Sequence, residues 1–224
     1  MGLSLAQEMA ARGYRVLGTG RRAPSDLPPD HALDAYLQAD LSRPDEVAAL
    51  ADWAAAQSGG RLDVAVLNAG LGHYRPLTAE TASDIAQVVE VNLDAPLQLA
   101  HALHPVLSGG ALGLVGSVAH GGAAGMPVYA ASKGALDGFG RALAEAWRGD
   151  VRVRVLHPSP VATGMSERAG RPRDLMDSLF LSPRGVAITL LDALLARRGP
   201  DRQVISFLRV GRGMVLRGLT AGGR

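Results

Sequence analysis

Tyr129-Ala130-Ala131-Ser132-Lys133-Gly134-Ala135-Leu136 holds the only lysine of the chain; every other one of its 23 Lys+Arg positions is arginine. A chain this strongly committed to arginine keeps a lysine where a planar guanidinium cannot replace a compact, rotatable ammonium. On a helix, positions four apart share one face, so the Tyr129 phenol and the Lys133 ammonium project into the same space. A cation there favours the phenolate and lowers the tyrosine pKa from its reference of about 10. Such a tyrosine can exchange a proton with a substrate oxygen near neutral pH. The same spacing also describes an ordinary helix surface contact, so the surrounding chain has to decide.

Outward from this segment, short apolar runs alternate with longer amphipathic ones, the pattern of repeated β-α units and a parallel sheet. Strands are expected at Arg15–Gly20, Ala35–Ala39, Leu62–Leu67, Ala111–Gly116, Val151–Leu156 and Val204–Leu208. Val64-Ala65-Val66-Leu67 and Leu112–Val115 are apolar or small throughout, as in strands covered on both faces. Helices are expected at Gly2–Arg12, stopped by Gly13, and at Pro44–Gln57, where Ser42 and Asp45 read as a capping pair. Three more are expected at Asp84–Leu107, at Val128–Trp147 and, behind an N-cap Ser182, at Pro183–Arg197. The fold class is therefore α/β, a doubly wound parallel sheet in one domain over residues 1–224. Residues 164–181 mix Gly, Arg, Pro and Asp with Leu175, Met176, Leu179 and Phe180, and read as a substrate lid after a strand end. Residues 209–224 form a mildly basic tail.

Composition narrows the function. With 47% hydrophobic and 20% charged residues over 224 positions, the chain can bury a sizeable core. It has no cysteine, which excludes disulfides, thiolate catalysis and cysteine-ligated metals, and fits a cytoplasmic protein. No metal site is expected. No apolar run approaches the roughly 20 residues of a membrane span, and the N-terminus lacks the basic region of a signal peptide. The pI of about 9.4 goes with a net charge of only +2 and 4% aromatics, a poor basis for binding nucleic acid.

Further signals fall at the expected strand C-termini, where open α/β sheets bind ligands. Asn68-Ala69-Gly70, Ser117, Asp40-Leu41 and Pro158-Ser159-Pro160-Val161-Ala162-Thr163 each follow a strand, and Asn92 lies within a long helix. In this combination the chain resembles the short-chain dehydrogenase/reductase family, in its single-domain branch, from Gly2 to about Leu208. The resemblance implies a Rossmann-like fold and a pyridine-nucleotide oxidoreductase that interconverts a carbonyl and an alcohol. It implies that Tyr129 is the acid/base and that Lys133 lowers its pKa and holds the nicotinamide ribose. It further implies that Ser117 fixes the substrate oxygen and that Asn92 organises a water on a proton relay from Lys133. By the same likeness Asn68, Ala69 and Gly70 lie beside the adenine ribose, Asp40 and Leu41 beside the adenine, and Pro158, Val161 and Thr163 at the nicotinamide carboxamide. His73, His120 and Met126 are possible pocket lining, and the family's habit implies a homodimer or homotetramer.

The nucleotide can be narrowed from the residues. NAD-binding folds place an acid at the end of the second strand of the family pattern, on the adenosine 2′-hydroxyl. Here that strand runs Val16-Leu17-Gly18-Thr19-Gly20 into Arg21-Arg22, and guanidinium groups suit a 2′-phosphate. NADP(H) is expected over NAD(H).

The likeness fails in three places. The family opens on an apolar strand and a Thr-Gly-x-x-x-Gly-x-Gly loop, of which only Gly2 and the helix after it are present, leaving Gly2 and the helix amides to meet a pyrophosphate. Four buried apolar side chains of such a central strand would contribute roughly 6–12 kcal/mol. The expectation is therefore an N-terminally truncated sheet without its central first strand, about 15 or more preceding residues in the natural protein, and weak cofactor binding by the chain as written. Ser159 stands where the family has glycine, and Ser117 lies one residue nearer Tyr129 than is common. The first departure gives a competing reading: a catalytically silent dinucleotide-binding or scaffold protein. A dehydratase or isomerase using the same tyrosine is a third.

Overall fold

The structure is a computed structural model and describes residues 1–172, 175–206 and 208–211. The chain runs α1 (Gly2–Ala11), β1 (Leu17–Gly20), β2 (Ala35–Gln38), α2 (Pro44–Gln57), β3 (Val64–Leu67) and α3 (Ala82–Val89). A π-turn (Glu90–Asp94) joins α3 to α4 (Ala95–Leu107), followed by β4 (Ala111–Val115), α5 (Pro127–Ala146), β5 (Arg152–Pro158), α6 (Met165–Arg168), α7 (Pro183–Leu195) and β6 (Arg202–Ile205). Every strand pairing is parallel, with β1 beside β2 and a four-stranded sheet in the order β3-β4-β5-β6. The described residues contain no strand joining β1 to β3, so β3 is the open edge of the larger sheet. That position corrects one expectation: β4 is buried at every residue, whereas Val64–Leu67 are only half-buried.

Alternation along the strands builds two cores. Leu112, Leu114, Val153 and Val155 face Val47, Leu50, Leu99, Leu103 and Leu136 of α2, α4 and α5. Ala111, Val115, Leu156 and Ile205 face Leu5 of α1 and Val186, Leu190, Leu191 and Leu194 of α7. This is the doubly wound Rossmann-like arrangement. Gly140 on α5 lets the helix settle onto β5, since a Cβ there would lie 2.2 Å from Val155.

Two buried polar features tie α7 down. Arg154, only 2% exposed, donates from β5 to the carbonyls of Ala193 and Ala196, which the C-terminus of α7 leaves without helical partners. Arg12, at the C-cap of α1, bridges Glu8 and the more exposed Asp192 at 2.8 Å each, joining α1 to α7.

Helix starts follow the sequence closely. Ser182 Oγ accepts from the Gly185 amide, as an N-cap should. At α2 the expected Ser42–Asp45 pair does not form. Arg43 is the N-cap residue, and Ser42 instead donates its amide and hydroxyl to Asp40 Oδ1, because a carboxylate two residues back closes a tight local turn first. No helix among the described residues is long and apolar enough to cross a membrane. Of the basic tail, Arg212, Arg217 and Arg224 lie outside the described residues.

Candidate functional site

The C-terminal ends of β3, β4 and β5 meet the N-terminal half of α5. Helix α5 begins at Pro127, whose fixed φ suits a first turn and whose missing N–H costs nothing there. It then presents Tyr129 and, one turn on, the fully enclosed Lys133. Ser117 leaves β4 in extended backbone (φ −162°, ψ 151°) and lies close enough to the Tyr129 phenol to lower its pKa, while its Oγ accepts from the Ala119 amide at 3.1 Å. Lys133 Nζ lies 5.9 Å from the centre of the tyrosine ring and donates to the Val115 carbonyl at 2.9 Å. The structure thus brings Tyr129, Ser117 and Lys133 together at the end of β4.

The electrostatics differ from the expectation. Burial pushes the Tyr129 phenol above its ordinary value of 10, and the bond from Ser117 pulls it back only in part. The Lys133 ammonium is itself destabilised: burial brings its pKa down from 10.5 to about 8. An ammonium has three N–H donors and this one uses one on Val115, so Lys133 retains donors directed at the space beside Gly70. A Cβ on Gly70 would sit 3.4 Å from Nζ and 3.2 Å from Asn92 Oδ1.

Asn92 occupies the π-turn, a local widening of the helix that turns its side chain wholly inward. Its Oδ1 accepts from the Leu71 amide at 2.9 Å, and its Nδ2 donates to the Leu71 carbonyl at 2.7 Å and to Ser132 Oγ at 3.0 Å. The side chain thus pins the turn after β3 to α5. The sequence reading missed Ser132, whose hydroxyl donates to the Tyr129 carbonyl at 2.7 Å; its place next to Lys133 was the available signal.

The other expected site residues spread along the same sheet edge. Gly2 sits against Asn68, with a would-be Cβ 3.1 Å from Nδ2; Asn68 Oδ1 is buried and accepts no hydrogen bond from the described residues. Gly72, just past Ala69 and Gly70, is filled on its open side by Tyr129 and by Met126, whose Cε would be 3.0 Å from a Cβ. Asp40, two residues past β2, is held below the usual carboxylate range by the Ser42 amide, and Leu41 packs on the core. Arg21 and Arg22 are exposed past β1, their carbonyls held by Gln38 Nε2 and the Tyr36 hydroxyl, and no carboxylate pairs with either guanidinium among the described residues. Pro158 closes β5. Val161 makes a bridge with Leu181, and Thr163 Oγ1 accepts from the Met165 amide at 3.4 Å.

The Val161–Leu181 bridge ties together both ends of the expected lid, and the Tyr74 amide donates to Ala169 at 2.6 Å, anchoring it to the loop after β3. Arg168 of α6 reaches back over Gly164, and it and Arg22 are both near the Met1 amine, whose pKa is lowered first by burial and then by these two cations. Of the expected pocket lining, Met126 borders Tyr129, whereas His73 is drawn away to Glu80 at 3.0 Å and His120 lies behind Ser117.

A parallel, doubly wound sheet with its polar residues at the strand C-termini defines a Rossmann-type nucleotide-binding architecture. The family described as short chain dehydrogenase matches residues 1–174. The chain belongs to that family. It is 32% identical over 175 residues to the hydroxynaphthalene reductase arp2 of Aspergillus fumigatus, covering 74% of this chain and 64% of that one. It is 35% identical over 134 residues to the cyclic-di-GMP-binding biofilm dispersal mediator protein of Escherichia coli K12, covering 57% and 56%. The chain therefore spans about half to two thirds of the length of these curated relatives. Among solved structures, a blue fluorescent protein from a metagenomic library in complex with NADPH superposes with a TM-score of 0.74 at 28% identity, over 91% of this chain and 90% of that one.

The site residues fit a nicotinamide dinucleotide. Asn68 Oδ1 is a buried acceptor with no donor among the described residues, Lys133 has N–H groups to spare beside Gly70, and the exposed guanidinium groups of Arg21 and Arg22 form no salt bridge among the described residues.

Proposed function

We propose that this protein is an NADP(H)-dependent oxidoreductase that interconverts a carbonyl and a primary or secondary alcohol. The observation that carries the reading is the convergence of Tyr129, Ser117 and Lys133 beside a glycine-lined turn. The NADPH complex of the metagenomic blue fluorescent protein supports the choice of nucleotide.

When bound, the nicotinamide supplies or accepts a hydride. Lys133 and Asn68 would hold its ribose groups, with Arg21 and Arg22 at the 2′-phosphate and Val161 and Thr163 near the carboxamide. Ser117 donates a hydrogen bond to the substrate oxygen, and Tyr129 gives that oxygen a proton in reduction or takes one in oxidation. Burial keeps the phenol protonated in the resting protein, the form needed to protonate a carbonyl oxygen. The Lys133 ammonium, poised near pH 8, is the charge that can stabilise a phenolate once it forms.

The test follows NADPH absorbance with a panel of ketones and aldehydes, in parallel with NADH. Substrate-dependent oxidation that Tyr129→Phe abolishes is the expected result. A Tyr129→Phe protein with unchanged turnover removes the mechanism, and cofactor binding with no turnover favours the silent dinucleotide binder.

A further inference from the structure

Behind Ser117, on the side away from Tyr129, lies a polar cluster to which neither the motif nor the proposed chemistry assigns a role. His157 on β5 is completely buried. Its Nε2 is 2.8 Å from Asp137 Oδ1, and its Nδ1 lies 3.2 Å from the Ser117 amide nitrogen and 3.1 Å from the Ser117 carbonyl oxygen. His120 stacks on it with ring centroids 4.2 Å apart; its Nδ1 is 2.7 Å from the same carbonyl, and its Nε2 meets Arg202.

The partners fix both tautomers. A carboxylate only accepts, so His157 carries its proton on Nε2 and offers the Nδ1 lone pair to the Ser117 N–H. A carbonyl only accepts and a guanidinium only donates, so His120 carries its proton on Nδ1 and leaves Nε2 as acceptor for Arg202. The two rings are thus of opposite tautomers, and between them they hold the N–H and the C=O of one residue. Asp137 is held in turn by Arg202 at 2.9 Å and Arg141 at 3.3 Å. Burial works to raise its pKa, but the bonds from His157 and Arg202 bring it below the usual range, so it stays an acceptor. The β4 end is shaped for this contact: a Cβ on Gly116 would fall 2.4 Å from His157 Nδ1.

We propose that His157 and His120, oriented by Asp137 and Arg202, clamp the Ser117 peptide and are positioning residues for the Ser117–Tyr129 pair. The proposal rests on the acid/base reading of that pair. Neither histidine hydrogen-bonds or stacks on Tyr129; they act by fixing the backbone from which the Ser117 hydroxyl reaches toward the phenol. Protonating His157 would place a second N–H at Nδ1: the acceptor for the Ser117 N–H at 3.2 Å is lost and the new N–H turns to the Ser117 carbonyl at 3.1 Å, so the clamp gives up the amide. The charged and titratable groups facing His157 are Asp137 and Arg141 from α5, Arg202 from β6, and His120.

The test uses NMR on the full chain without cofactor or substrate, so its outcome is independent of whether any carbonyl is reduced. Asparagine places a polar atom where Nδ1 stands and glutamine places one where Nε2 stands, so the two variants separate the bonds. His157→Asn is expected to keep the Ser117 amide shift and the Tyr129 pKa close to wild type. His157→Gln is expected to move the amide and to raise the Tyr129 pKa, read from its 13Cζ shift, by about one unit. Equal behaviour of the two folded variants overturns the clamp. Should neither variant fold, the wild-type titration decides: a Ser117 amide that follows the His157 ring as pH falls supports the proposal, and one indifferent to it overturns it. Loss of turnover with this coupling intact would instead count against the oxidoreductase reading alone.

Discussion

Lys133 spends one N–H of a fully buried ammonium on the carbonyl of Val115, 2.9 Å away at the last residue of β4. That single bond does not offset the lost hydration, and burial lowers the pKa from 10.5 to about 8. The difference corresponds to about 3 kcal/mol against the folded state at pH 7. Lys133→Met removes that cost and orphans one carbonyl, worth about 1 kcal/mol. The variant should therefore be more stable by about 2 kcal/mol, or about 4–8 °C in Tm, while losing turnover. The pH dependence has a definite sign. The unfolded chain holds this proton to higher pH than the folded one, so wild-type stability should rise between about pH 8 and 10.5, and the variant should lack that rise. Thermal melts of both proteins from pH 7 to 10 check it, and a destabilised Met variant would contradict it.

Arg21 and Arg22 have exposed guanidinium groups with no carboxylate partner among the described residues, at the end of β1. If they meet a 2′-phosphate, Arg21→Ser with Arg22→Ser should weaken NADPH binding by at least about tenfold and leave NADH nearly unchanged. The effect should shrink at high salt, because the contact is on the surface. Titration calorimetry with both nucleotides at two ionic strengths measures it, and parallel losses for NADPH and NADH would assign the arginines elsewhere.

Asn92 satisfies both backbone groups of Leu71 and one hydroxyl with a side chain that is entirely buried. Asn92→Leu leaves the Leu71 amide and carbonyl unmatched, at about 1–3 kcal/mol each before relaxation, and takes one donor from Ser132 Oγ, which keeps its bond to the Tyr129 carbonyl. A loss of about 3 kcal/mol in denaturant melts is expected, with faster amide exchange at Leu71. Unchanged exchange there would show that Asn92 does not hold the turn.

The sequence is most transparent where one residue dictates its own neighbourhood. Pro44 and Pro183 mark helix starts because a fixed φ and a missing N–H suit only a first turn. Apolar runs mark β3, β4 and β5 because parallel strands covered on both faces lack a polar side, whereas β6 (Arg202–Ile205) alternates exposed and buried residues and starts two residues before the run expected at Val204–Leu208. Tyr129 and Lys133 are visible as a pair because helical spacing alone brings them together. The sequence is opaque where contacts cross elements. Nothing local tells that Arg154, a charged residue inside an apolar run, is sealed against the end of α7. The meeting of His157 with Asp137 and Ser117 depends on three elements and the register of β4 on β5. Spacing places Lys133 one turn from Tyr129 but gives no sign of the burial that raises the phenol pKa and lowers that of the ammonium.

Gly116 and Gly138 make a paired test of the packing behind the site. A Cβ at Gly116 meets His157 Nδ1 at 2.4 Å and Cε1 at 2.7 Å, and that ring has no exposed surface into which to retreat. Gly138, in α5, has nothing within 4 Å of the same hypothetical atom. Gly138→Ala should therefore stabilise by about 0.5–1 kcal/mol through helix propensity alone. Gly116→Ala should destabilise by about 1–3 kcal/mol through overpacking, lowering Tm by about 2–12 °C for a chain of this size. It should also push His157 off the Ser117 amide, so the lost stability should be accompanied by lower turnover at unchanged substrate KM. Differential scanning calorimetry and steady-state kinetics on the two alanine variants read both effects. A Gly116→Ala protein as stable and active as the Gly138→Ala one would mean that His157 has room to move and that its contact with Ser117 is not fixed by the fold.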